Sequence, residues 1–209
     1  MDFSAIQVKV ISEIDRAQER LLEISRSIHA HPELGDQEVQ SSALLAGELE
    51  ARGFAVERGF CGHKTAFLAR KGKPGAGPRP RVAFLAEYDA LPGIGHGCGH
   101  NLIATSALAA GLGLGAVAEE VGGEVWVVGT PAEETDGAKV AMAKAGAFAG
   151  LDAALMIHPY DGNFSHTESL AMDAIEVVYS GAPAHAAASP WEGRNALDAL
   201  IILFSSLNA

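Results

Sequence analysis

Residues 82–101 read VAFLAEYDALPGIGHGCGHN, and this stretch decides the fold. Val82–Ala86 is apolar at every position, as in a strand covered on both faces. The run stops at Glu87, turns through Pro92 and Gly93, and leads into an uncharged stretch from Asn101 to Ala118. That stretch is short for a membrane span and holds three Gly, one Ser and one Thr, so it reads as a buried helix. The alternation then repeats, with a strand at Val125–Thr130, a helix near Ala138–Phe148 and a strand at Ala153–Ile157. Strand–helix–strand order with solidly apolar strands predicts an α/β fold, a largely parallel sheet with helices on both faces.

Working outward, Ile6, Val10, Ile14, Leu21, Ile24 and Ile28 recur at helical spacing before His31-Pro32-Glu33-Leu34-Gly35 breaks the helix. A second helix is expected from Glu38 to Arg52, with Gly53 just past its end. Apolar runs at Ala66–Ala69 and Val82–Ala86 flank Lys73–Pro80, whose Pro and Gly content reads as a hairpin loop. Beyond residue 166 the pattern changes. Ala171–Ser180 alternates like a half-exposed strand, and a helix follows from Asn195, with Leu197, Leu200, Ile201 and Phe204 on one stripe. One strand and one helix cannot bury a core. The expected organisation is therefore an α/β domain over 1–167 and the start of a smaller α+β domain over 168–209.

Composition narrows the function. With 15 Lys plus Arg against 26 Asp plus Glu, the formal charge of −11 argues against a nucleic-acid backbone as partner. Two cysteines, Cys61 and Cys98, exclude a disulfide scaffold, and the charged N-terminus lacks a signal-peptide core. A cytoplasmic protein without a membrane partner is the simplest expectation.

Open α/β sheets bind ligands at the carboxyl ends of their strands. After the first core strand come Glu87-Tyr88-Asp89 and then Cys98-Gly99-His100; after the second, Glu133-Glu134; after the third, His158. Thiolate, imidazole and carboxylate are ligands for a divalent transition metal such as zinc. Cys98 and His100, one glycine apart before a helix, can turn toward one ion, and the helix N-terminus favours the thiolate form of Cys98. The paired glutamates permit a division of labour, one on metal and one moving a proton. Taken singly, each residue has an ordinary reading: a buried thiol, a solvated acid pair, a structural histidine, a turn aspartate. Their convergence favours a metal site. A dinucleotide loop, a Walker sequence, a serine-hydrolase elbow and the zinc deaminase pattern are all absent. Cys98 as a nucleophile with His100 or His158 as base is a weaker alternative that leaves the glutamates unexplained. Cys61 and His63 share a loop without an assigned role.

Residues 87–101, EYDALPGIGHGCGHN, resemble the metal-site signature of the M-twenty (M20) metallopeptidase family. More narrowly they are similar to its amidohydrolase subfamily, which includes auxin-conjugate and aminobenzoyl-glutamate hydrolases. Tyr88 and Asn101 are most similar to the branch acting on β-alanyl-lysine-type dipeptides, and Asn101 stands where many amidohydrolases carry Asp. His31–Gly35, Pro131–Glu134 and Gly181–Ala187 match as well, so the resemblance spans nearly the whole chain. It implies that Cys98, His100, Glu134 and His158 bind two divalent metal ions (zinc, or manganese or cobalt). It further implies that Glu133 is the general base, that Asp89 orients a metal-binding side chain, and that His185 is a lid histidine reaching the partner's site in a homodimer. The implied activity is hydrolysis of amide bonds in small N-acyl amino acids or dipeptides. The resemblance covers the N-terminal half of such an enzyme, whose final histidine ligand comes from a C-terminal part. A catalytically incomplete fragment is therefore the alternative expectation, with exposed apolar surface on the last helix.

Overall fold

Helix α1 (Phe3–Ala30) begins where the Asp2 carboxylate accepts the Ser4 and Ala5 amides at 3.0 and 3.4 Å, in a computed structural model that describes residues 2–72, 80–165 and 175–208. It buries Ala17, Leu21, Ile24 and Ile28. Helix α2 (Val39–Ala51) follows the His31–Gly35 break and is capped by Arg52, with Gly53 at positive φ just past its end, as expected. Strands β1 (Ala55–Arg58), β2 (Phe67–Gly72) and β3 (Arg81–Ala86) come next, then helix α3 (His100–Gly115) and a single turn, α4 (Ala118–Val121). Strand β4 (Glu124–Gly129), helix α5 (Ala138–Lys144) and strand β5 (Ala153–Leu155) complete the first unit, Met1–Gly162.

The sheet order is β1-β2-β4-β3-β5. β3 pairs in parallel with β4 on one side and β5 on the other, while β1-β2 and β2-β4 are antiparallel. The α/β class holds, with parallel order confined to β4-β3-β5. The expected hairpin is corrected. β2 and β3 are not neighbours, because β4 lies between them, and residues 73–79 of the proposed loop lie outside the described residues. Local turn composition suggested the pairing. β4, buried at every position from Val125 to Gly129, takes the central place, since a central strand is covered on both faces. Strand β1, too short and mixed to be read from sequence, pairs with β2 at the sheet edge.

Side chains alternate along the strands. Phe67, Ala69, Ala86 and Val127 face one core with α1, α2 and α3, while Leu68, Ala83, Trp126 and Val128 face a second core with Ala138 and Met142 of α5. Helices thus cover both faces. α3 is apolar all round because it lies between sheet and helix. A Cβ on Gly111 would stand 2.3 Å from Val127 Cγ2, and one on Gly113 would stand 2.9 Å from Ile14 Cδ1. Among the described residues no helix is long and apolar enough to cross a membrane.

The second unit, Asn163–Ala209, contains a bridge between Ala182 and Arg194, a 3-10 turn at Pro190–Glu192 and helix α6 (Ala196–Leu207). The Asn195 side chain caps α6 by accepting the Leu197 amide at 3.0 Å. The expected boundary at 167/168 and residues 171–174 of the expected strand lie outside the described residues. Residues 175–180 form no strand, since no segment among the described residues supplies a ladder, and Ile175, Val177, Val178 and Tyr179 are exposed. The α6 stripe of Leu197, Leu200, Ile201 and Phe204 is exposed too.

The α3 packing makes a stability prediction. Gly111→Ala forces a methyl into Val127 and is expected to cost about 1–3 kcal/mol in urea unfolding. Gly47→Ala, in α2 with open space around its Cα, is expected to stabilise by about 0.4–1 kcal/mol. Equal effects of the two substitutions would contradict this packing.

Candidate metal centre

β4 and β5 flank β3 in parallel, so the carboxyl ends of all three open on one rim. Glu87 and Asp89 leave β3, Glu133 and Glu134 leave β4, His158 leaves β5, and His100 opens α3 behind them.

His100 is the centre of the group. Its ring is buried, and its Nδ1 lies 3.0 Å from Asp89 Oδ1. A carboxylate there requires the proton on Nδ1, which leaves the Nε2 lone pair facing the rim. The other Asp89 oxygen, Oδ2, accepts the Glu134 amide at 2.9 Å, so one carboxylate fixes both a ring and a loop. Burial alone would push the Asp89 carboxyl up. Its bonds to His100 and the Glu134 amide outweigh that and hold it below the usual range. Burial likewise opposes charge on His100, but the Asp89 bond and the surrounding carboxylates raise its pKa above 6.5.

Three acids face Nε2: Glu87 Oε2 at 3.4 Å, Glu134 Oε1 at 3.6 Å and Glu133 Oε2 at 3.8 Å. His100 Nε2, Glu87 Oε2 and Glu134 Oε1 are all buried without a hydrogen-bond partner, among six such side-chain atoms in the described residues. Half of these unpartnered atoms thus gather around His100 Nε2, an arrangement that bound cations would satisfy. Two groups have every ligand atom within 4.8 Å of the others: Glu87, His100 and His158, and His100, Glu133 and Glu134. His158 Nδ1 donates to the Pro159 carbonyl at 2.8 Å, which leaves its Nε2 as the acceptor nitrogen. Its ring meets His100 edge-on at 6.0 Å. Imidazole and carboxylate donors in this number suit a divalent transition metal.

Glu133 stands apart from Glu134. Its side chain is twice as exposed, 38% against 19%, and burial together with Glu87 and Glu134 raises its pKa.

Cys98 lies outside both groups. Its thiol is pushed up to about 11 by the Glu134 carboxylate beside it, by burial, and by Glu133 and Asp89. The expected thiolate is therefore corrected for the metal-free chain. Gly99, not Cys98, is the cap residue of α3, and the acids outweigh the helix dipole. A thiol this basic also counts against the cysteine-nucleophile reading. His185 belongs to the second unit, where its Nδ1 accepts the Ala187 and Ala188 amides at 3.2 and 3.1 Å. Cys61 lies within a tight turn after β1 and His63 just past it, and neither joins a group.

Two residues of the centre were missed in the sequence. Glu87 is completely buried, and Lys139 in the first turn of α5 binds its Oε1. A signal for Glu87 existed. Residues two apart in extended chain point the same way, so Glu87 and Asp89 both face His100 while Tyr88 packs into the core beside Phe67.

Comparison with known proteins fits this arrangement. The chain is 43% identical to the Xaa-Arg dipeptidase of Mus musculus across 99% of its own length and 50% of the relative's. It is 37% identical to a p-aminobenzoyl-glutamate hydrolase polypeptide of Escherichia coli (strain K12) over 93% of this chain and 44% of that protein. A Bacillus subtilis structure, described as a dinuclear metal binding peptidase from the M20 family, superposes with a TM-score of 0.60 at 27% identity. That match covers 67% of this chain and 42% of the other. The chain belongs to the M20 family. No protein-family model matches it, so membership rests on the M20 structure together with these dipeptidase and hydrolase relatives. The chain spans about half the length of the curated relatives it matches.

The orientation of His100 can be tested by metal titration. Asp89→Asn is expected to weaken Co²⁺ binding roughly 10–100-fold, read by competition with a chromophoric chelator. Because His100 must lose its raised proton to bind, wild-type affinity should climb with pH through and above 6.5. A flat pH profile would remove His100 from the ligand set.

Proposed function

We propose that the protein is a metal-dependent hydrolase of amide bonds in small N-acyl amino acids or dipeptides. The observation that carries this reading is the meeting of three buried, unpartnered atoms, from Glu87, His100 and Glu134, at one rim of the sheet. His100, Glu134, His158 and Cys98 are the proposed ligands of two divalent ions, with Glu87 added by its position. Zinc is favoured if Cys98 binds as thiolate, and a metal beside it would lower its pKa. The bound ions supply Lewis acidity, polarising the scissile carbonyl and making water acidic enough to attack at neutral pH.

The protein's own residues do the rest. Asp89 holds the His100 tautomer, and Lys139 holds one oxygen of Glu87 so that the other faces inward. Glu133 is the proton carrier: it sits beside the acid cluster, is only partly buried, and its carboxylate is not the one that Lys139 binds. Its carboxylate takes a proton from the attacking water and gives one to the departing amine nitrogen, and the reaction leaves it unchanged. The relatives named for Xaa-Arg and aminobenzoyl-glutamate substrates support a substrate of this size. Residues 163–209 are the proposed beginning of a lid, with His185 on it and the exposed α6 stripe supporting a homodimer contact. Free thiols at Cys61 and Cys98 accord with a reducing cytoplasm.

Glu133→Gln is expected to lower kcat about 10²–10⁴-fold or more while metal content is kept, in the protein as its host makes it. Cys98→Ala is expected to lose metal. Retained turnover in the first variant, or full metal in the second, would refute the corresponding role.

A further inference from the structure

We infer that Glu38 is a positioning residue, whose buried carboxylate holds the loop after β4 in the conformation that presents Glu133 and Glu134 to His100. This rests on the reading of those two glutamates as the reacting acids.

Glu38 is completely buried, yet it lies outside the metal centre. Its Oε1 accepts the amide of Ala132 at 2.7 Å, and its Oε2 accepts the hydroxyl of Thr65 at 2.9 Å. Ala132 is itself fully buried and has φ +55°, a left-handed backbone that a residue with a Cβ adopts only when its surroundings enforce it. The next two residues are Glu133 and Glu134. The Ala132 amide has no water to turn to, so without Glu38 the bend that aims the acid pair has nothing to hold it.

The rest of the segment grips the same loops. Gly35 presses on the loop after β4 so closely that a Cβ would stand 2.4 Å from Thr135 Oγ1 and 3.1 Å from Ala132 Cα. The Glu33 carbonyl accepts the Ala90 amide, just past Asp89, at 2.8 Å, while the Glu33 side chain anchors the start of α2 through Gln40 and Ser41. Thr65 extends the tie to the other strand end, because its carbonyl accepts the buried Tyr88 hydroxyl at 2.7 Å, between Glu87 and Asp89. Glu33 to Glu38 thus form a strap across the ends of β3 and β4. An apolar side chain would fill the place of Glu38 at less desolvation cost, and a carboxylate there is explained by the amide it must hold.

The test compares Glu38→Gln, which keeps an acceptor for the Ala132 amide, with Glu38→Leu, which keeps bulk and no acceptor. Both are made in the protein as its host produces it. Two quantities are read: amide hydrogen exchange of the peptide over 130–136, with metal removed, and Co²⁺ affinity. In Glu38→Leu, exchange over 130–136 should rise tenfold or more relative to the β4 peptide over 125–128, and Co²⁺ affinity should fall tenfold or more. Glu38→Gln should stay within threefold of wild type in both.

Unchanged exchange over 130–136 in a folded Leu variant would overturn the inference. So would a rise shared equally by 125–128, which marks a general stability role, or a Gln variant as impaired as Leu. If Glu38→Leu does not fold, Gly35→Ala is the second perturbation, expected to raise exchange over 130–136 with Glu38 intact; no rise would count against the strap. A wild type that takes up no Co²⁺ would defeat the metal reading alone, since the exchange arm decides the role of Glu38 without metal.

Discussion

The bond between Asp89 and His100 Nδ1 is the constraint on which the rest of the centre depends. An imidazole has two nitrogens, and fixing the proton on one decides what the other can do. With Nδ1 committed, Nε2 faces a cluster of acids from a position sealed away from water. Each buried polar atom left without a partner costs on the order of 1–3 kcal/mol. Two such carboxylate oxygens facing the unpartnered Nε2 are explained if a cation or ordered water satisfies them. The fold supplies what this requires: parallel β4 and β5 on either side of β3, so that loops from three strands reach the same ring.

Much of this was legible in the sequence because it depends on pattern. Solid apolar strands alternating with helices dictate a sheet covered on both faces, and residues at the strand ends must share a rim. Asp89, His100, Glu133, Glu134 and His158 all follow from that rule. Glu87 was visible in the same stretch, but its role depends on which way an extended chain turns its side chains after leaving the sheet. Lys139 could not be found this way. Its value lies in a contact between α5 and the end of β3, across more than fifty residues of sequence.

Other differences have physical origins of the same kind. The place of β4 between β2 and β3 is a long-range choice, whereas Lys73–Pro80 advertises a short-range one. A strand needs a neighbour as well as an alternating pattern, and, among the described residues, 175–180 have the pattern alone. Cys98 shows that a helix dipole is a weak guide to ionisation where several carboxylates crowd a thiol.

The central position of β4 also bears on how the chain is made. As the polypeptide leaves the ribosome, β1 and β2 can pair at once, but β3 has no native partner until β4 has emerged. During that interval Val82–Ala86 is an unpaired apolar strand beside β2, and the hairpin that the local sequence suggests is its nearest wrong partner. Native assembly has to keep that shortcut from closing, or reopen it to admit β4.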